Sequence, residues 1–77
     1  MNLTRIIVSP ENENTFYISN DLGGVYEMDI RKQMGMVGKF KGINSTVTDL
    51  AISGEELYVS SLDSYVRSFS LESKEMN

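Results

Sequence analysis

The chain has 77 residues, a net charge of −4, no cysteine and no histidine. A length of this kind makes one small domain with a marginal core, because it buries only about 60% of its unfolded surface. Without Cys or His, a disulfide framework, the usual zinc ligands and a histidine-activated nucleophile are excluded, and a reducing intracellular compartment fits.

In chain order, residues 3–8 (Leu3, Ile6, Ile7 and Val8 with Thr4 and Arg5) predict a strand. The apolar run is too short for a signal-peptide core or a membrane span and meets Ser9 and Pro10 at once, so the chain reads as soluble. Residues 9–14 are a polar turn, with Pro10 placed where a strand must stop. A second strand follows over 15–19, apolar at Phe16, Tyr17 and Ile18. Residues 20–24 end in Gly23 and Gly24, whose freedom to take positive φ marks a tight hairpin. Residues 25–30 roughly alternate and predict a third strand, and 34–40 a fourth, loosened by Gly35 and Gly38.

The most strand-like part lies beyond residue 46. Val47, Leu50 and Ile52 mix with polar residues over 47–53, and Leu57, Tyr58 and Val59 form a continuous apolar run, as in a strand buried on both faces. Residues 66–71 largely alternate, with a slip at Ser68 and Phe69 that predicts a bulge. Gly54, Glu55 and Glu56, and then Asp63 and Ser64, supply hairpin turns.

The two halves repeat. Phe16–Ser19 lies over Leu57–Ser60 and Val25–Ile30 over Val66–Leu71 at one offset of 41 residues, while Ile6–Ser9 matches Leu50–Ser53 at 44. A period of about 40 to 45 residues with four strands per copy is the signature of a propeller blade. The expected fold is therefore all-β, two antiparallel four-stranded blades of a partial propeller, with residues 1–42 as the first blade and 43–77 as the second, its outer strand incomplete. The competing architecture is a small barrel or sandwich of seven or eight strands.

Residues 60–71 resemble the back half of a WD repeat, with Asp63 at the turn and Phe69 and Ser70 where the Trp-Asp pair would sit; Met28 and Asp29 hold that place in the first copy. More narrowly, residues 24–32, 38–42, 47–51 and 62–67 resemble, in this order, the last two blades of a WD40-repeat ribosome-assembly factor family of early nucleolar large-subunit (60S) precursors. The most specific pieces are Lys39-Phe40-Lys41-Gly42 and Leu62-Asp63-Ser64-Tyr65-Val66-Arg67, and Ser64 departs from the basic residue usual there. The resemblance implies a non-catalytic scaffold in large-subunit biogenesis and pre-rRNA processing in the nucleus and nucleolus. Its implied partners are ribosome-assembly proteins, pre-60S particles, pre-rRNA and a AAA-type ATPase. The alternatives are a generic WD40 protein-interaction module in another complex and a fragment of a propeller enzyme.

The residues' own chemistry points away from catalysis. Asp21, Asp49 and Asp63 are the carboxylates that acid–base work would need, and each has a structural use, Asp21 and Asp63 in turns and Asp49 in a strand. Gly23 and Gly24 lack the Gly-Lys-Ser/Thr that a phosphate loop needs. No catalytic residue, metal ligand, cofactor or membrane contact is expected. The binding candidates are Arg31, Lys32, Lys39, Lys41 and Arg67, five of the seven cationic side chains, which would neutralise RNA phosphates or, more simply, guard an exposed outer strand against edge pairing. Arg67 has Asp63 and Asp49 as candidate ion-pair partners. Gly23, Gly24, Asp63 and Phe69 are the structural candidates. Phe16, Tyr17, Tyr26, Tyr58, Tyr65 and Phe69 are expected in an inter-blade core rather than as a base-stacking platform.

Two blades cannot close a ring, and each leaves an apolar face uncovered. The expectation is a piece of a longer propeller or a split gene, the missing blades coming from a longer chain or an oligomer.

Overall fold

The computed structural model describes residues 2–32 and 35–77, so Met34, where the fourth strand was expected to begin, lies outside the described residues. Seven strands form two antiparallel sheets, and no helix occurs among the described residues. The first sheet has the order β1 (Leu3–Val8), β2 (Thr15–Asn20), β3 (Val25–Asp29), β4 (Met36–Phe40). The second has the order β5 (Val47–Ser53), β6 (Glu56–Ser61), β7 (Val66–Ser70). A lone antiparallel bridge from Phe69 to Met76 stands where a fourth strand would pair with β7.

The turns follow from local chemistry. The Asn20 side-chain oxygen accepts hydrogen bonds from the backbone N–H of Leu22 (2.9 Å) and of Gly24 (2.8 Å), folding the β2–β3 hairpin onto itself. Gly23 sits there at φ +87°, and a Cβ would collide with the Ile43 carbonyl oxygen, so glycine is needed for two reasons. In the β6–β7 turn, Asp63 accepts from the Tyr65 N–H at 3.2 Å and Ser64 takes φ +71°.

Strand register assigns the faces. Across the first sheet Ile7, Tyr17, Glu27 and Gly38 form one row, while Ile6, Ile18, Tyr26 and Lys39 form the adjacent row on the opposite face. Across the second sheet Ile52, Leu57 and Phe69 make one row, and Ala51, Tyr58 and Ser68 the row on the other side. The core lies between the sheets: Tyr17, Val25 and Phe40 of the first meet Val47, Leu50, Leu57, Val59 and Phe69 of the second, with Ile43 from the connection. The Phe40 ring meets Phe69 edge-on at 5.5 Å between centroids and Tyr17 at 6.1 Å. Burial of such side chains stabilises by about 1.5–3 kcal/mol each, which makes this shared layer the main support of both sheets. The Thr46 hydroxyl donates to the Asp21 carbonyl at 2.8 Å, and Arg5 of β1 pairs with Asp49 of β5 at 2.9 Å, joining the sheets at their edges.

The repeat is written in hydrogen bonds. Each sheet has a register irregularity in its first strand, at Thr4 and at Thr48, positions 44 residues apart. In each the threonine hydroxyl bonds to a serine of the next strand, Thr4 to Ser19 and Thr48 to Ser60, both at 2.8 Å. The Asn20 N–H donates to the Gly24 carbonyl as Ser61 does to Tyr65, and Ile30 donates to Asn14 as Leu71 does to Glu55.

Three expectations need correction. The run Leu57, Tyr58 and Val59 is buried on one face only, since Tyr58 points away from the partner sheet and is exposed. The pairing of β6 with β7 is regular through Ser68 and Phe69; the irregularity falls at Thr48 instead, where the polar residue breaks the alternation of β5. Of the aromatics expected in the core, Tyr17 and Phe69 lie there, Tyr58 and Tyr65 are exposed, and Phe16 and Tyr26 stand half-buried on the outer face of the first sheet, while Phe40 occupies the centre of the core.

Candidate functional site

The five cationic candidates do not converge. Arg31 and Lys32 stand at the β3–β4 turn, whereas Lys39 and Lys41 lie at the far end of β4 and just beyond it. The length of β4 puts about 13 Å of strand between the two groups. Arg67 belongs to β7 and faces the first sheet.

Both arginines are engaged within their own sheets. Asp29 is buried, and Arg31 grips it with two guanidinium bonds (3.1 and 2.8 Å) and its backbone N–H (2.9 Å). These bonds, the guanidinium ones first, hold the Asp29 carboxyl down to about 2. Arg67 donates to Asp63 at 2.9 Å and to the Ser61 hydroxyl at 3.0 Å, and Ser61 donates to Asp63 at 2.6 Å. The Arg67 guanidinium, then Ser61, lower the Asp63 carboxyl to about 2, and the guanidinium also lies 5.2 Å from the centre of the Tyr65 ring. Of the two carboxylates considered for Arg67, Asp63 is its partner and Asp49 takes Arg5.

Lys39 and Lys41 are exposed; the Lys39 ammonium sits 5.7 Å from the Tyr26 ring centre. They line one side of an open cleft of about 630 Å³ whose other side is Ser73, Lys74, Glu75 and Met76. Lys74 crosses from the second sheet over Gly38, where any Cβ would collide with it, and pairs with Glu27 at 3.0 Å. The same end of the first sheet carries a cleft of about 330 Å³ formed by residues around Gly23 and Gly24 with Lys39, Phe40 and Lys41. The Gly23–Gly24 segment therefore shapes a turn and one wall of that cleft, and Phe69 is fully buried in the core.

The remaining titration shifts have plain causes. The Tyr17 phenol is pushed up by burial first and by the Glu27 carboxylate second, and the Tyr58 phenol by the Glu56 carboxylate beside it. Asp21 accepts from the Asn2 N–H at 3.0 Å, and its own N–H donates to the Asn2 carbonyl, tying the start of the chain to the β2–β3 turn. No group of three or more metal-ligating side chains gathers among the described residues. No helix among the described residues is long and apolar enough to cross a membrane.

Two structural contributors went beyond the sequence expectations, the Lys74–Glu27 bridge between the sheets and the burial of Phe40 at the centre of the core. The signal for Phe40 was its position two residues beyond Gly38, on the same face of a strand whose glycine admits a neighbouring side chain. Nothing local marked Lys74.

Fold and site together define a two-sheet antiparallel β-protein built from an internal repeat. Comparison with protein-family models, with curated proteins and with solved structures finds no match.

Proposed function

We propose that this chain is a non-catalytic scaffold, two blades of a WD40-like β-propeller acting in large ribosomal subunit biogenesis and pre-rRNA processing. The observation that supports the blade architecture is the way the sheets stack. They carry the same hydrogen bonds 41 and 44 residues apart, and one packs on the other through opposite faces, as successive blades around an axis do. A two-fold sandwich would join like faces instead. The role in ribosome assembly rests on the resemblance of residues 24–71 to that family, with assembly proteins, pre-60S particles and the AAA-type ATPase as partners in the nucleolus.

Direct contact with pre-rRNA would fall to Lys32, Lys39 and Lys41, since Arg31 and Arg67 are bonded to Asp29 and Asp63. That commitment of both arginines favours a second reading, a WD40 protein-interaction module whose contacts are to protein. Affinity purification of the tagged chain, followed by RNA and protein identification, separates the two. Recovery of pre-rRNA with large-subunit assembly factors supports the first; recovery of a different protein complex without ribosomal precursors removes it.

A further inference from the structure

The internal repeat says which surface each open face matches. Residues turned toward the partner sheet in one copy have counterparts turned away from it in the other. Tyr17, Ser19 and Val25 of the first sheet are buried against the second, and their counterparts Tyr58, Ser60 and Val66 lie on the second sheet's outer face. Val25 is 0% exposed and Val66 71%. Conversely Leu50, Leu57 and Val59 are buried against the first sheet, while their counterparts Ile6, Phe16 and Ile18 lie on its outer face. Leu50 is 4% exposed and Ile6 64%, with Val8 beside it at 65%.

The molecule thus displays both halves of an interface that it has already made once internally. One outer face is of the kind that receives a neighbour's Tyr-Ser-Val face, and the other presents that Tyr-Ser-Val face. We propose that a second copy of this chain occupies the apolar outer face of the first sheet, docking head to tail through its Tyr58, Ser60 and Val66 surface.

Charge supports this direction over the symmetric one. Arg5 and Asp49 occupy equivalent positions in the two repeats and pair across the internal interface at 2.9 Å, with both side chains still about half exposed. Head-to-tail docking sets Asp49 of one copy beside Arg5 of the next, again opposite charges, so that the signs alternate around the axis. A two-fold contact between apolar faces joins two first sheets and so brings no Asp49, a β5 residue, to Arg5 of the other copy. Propellers typically close with about four to eight blades, so two blades per chain close with about two to four copies. The proposal rests on the blade reading of the two sheets, not on the role in ribosome assembly.

The test uses two variants that each block one face at exposed positions. Ile6→Glu with Val8→Glu closes the receiving face, and Ala51→Glu with Val66→Glu closes the presenting one. Light scattering after size exclusion should give a discrete closed oligomer for the parent chain and monomers for each variant. Mixing the two variants should then give a 1:1 complex, since one open face of each kind remains. A monomeric parent, an oligomer that survives either block, or failure of the mixture to pair overturns the proposal. Nuclear Overhauser contacts between the Phe40 and Phe69 rings in the monomeric variants keep the two claims apart. Their presence with no pairing sinks self-assembly alone, and their absence sinks the stacked-blade reading as well.

Discussion

Replacing Phe40 by Leu tests whether the two sheets share one core. The ring is 1% exposed and touches the only other fully buried ring, Phe69, among the described residues. Losing its volume and the edge-on contact should cost about 2 kcal/mol. A chain of this length has a total stability of roughly 4–12 kcal/mol. With a urea slope of about 1 kcal/mol per molar, the midpoint should fall by about 2 M at fixed protein concentration. Phe69→Leu should cost a similar amount. Because the rings are in contact across the sheets, the double variant should be less destabilised than the sum of the singles, by a coupling of about 0.5–1.5 kcal/mol. Additive losses, or a two-step melt in which each substitution moves a different step, would refute a single core shared by both sheets.

Gly23→Ala should lower stability by about 2 kcal/mol or more, since positive φ and the Ile43 carbonyl both oppose a side chain, whereas Gly54→Ala, at φ +60° with open space around it, should cost about 1 kcal/mol; urea midpoints compare the two. Asp29 and Asp63, held at about 2 in the folded chain against about 3.9 unfolded, contribute stability above pH 4 that is lost as pH falls from about 4 to about 2. Asp29→Asn with Asp63→Asn should flatten that acid limb, which a series of urea melts across this range would show. Lys74→Met should destabilise by about 1 kcal/mol or more by leaving the half-buried Glu27 carboxylate unpaired, and adding Glu27→Leu should restore most of the loss in the same melts.

Strand positions were legible because side-chain alternation and turn residues are local signals. The six residues of β1 and the seven of β5 fall where alternation and flanking polar turns put them, and β2 extends one residue past its expected end because Asn20 still pairs with Leu3. The repeat was legible too, since two copies of one pattern need no tertiary knowledge to align. What sequence could not supply was facing. Tyr17 and Tyr58 are identical in type and neighbourhood, yet one is buried and the other exposed, because only the first has a sheet on that side. The spread of the cations over the surface was hidden from the sequence for the same reason. Arg31 and Lys41 are close in sequence but separated by a whole strand, and the Lys74–Glu27 pair joins residues too distant for any local pattern.

The irregularities at Thr4 and Thr48 fall in β1 and β5, each a terminal strand of its sheet. An added residue there interrupts the regular spacing of outward N–H and C=O groups and twists the rim, so an incoming strand meets a broken template. Growth by strand addition, the route to fibrils, is obstructed along the β1 and β5 rims at equivalent positions of the two repeats.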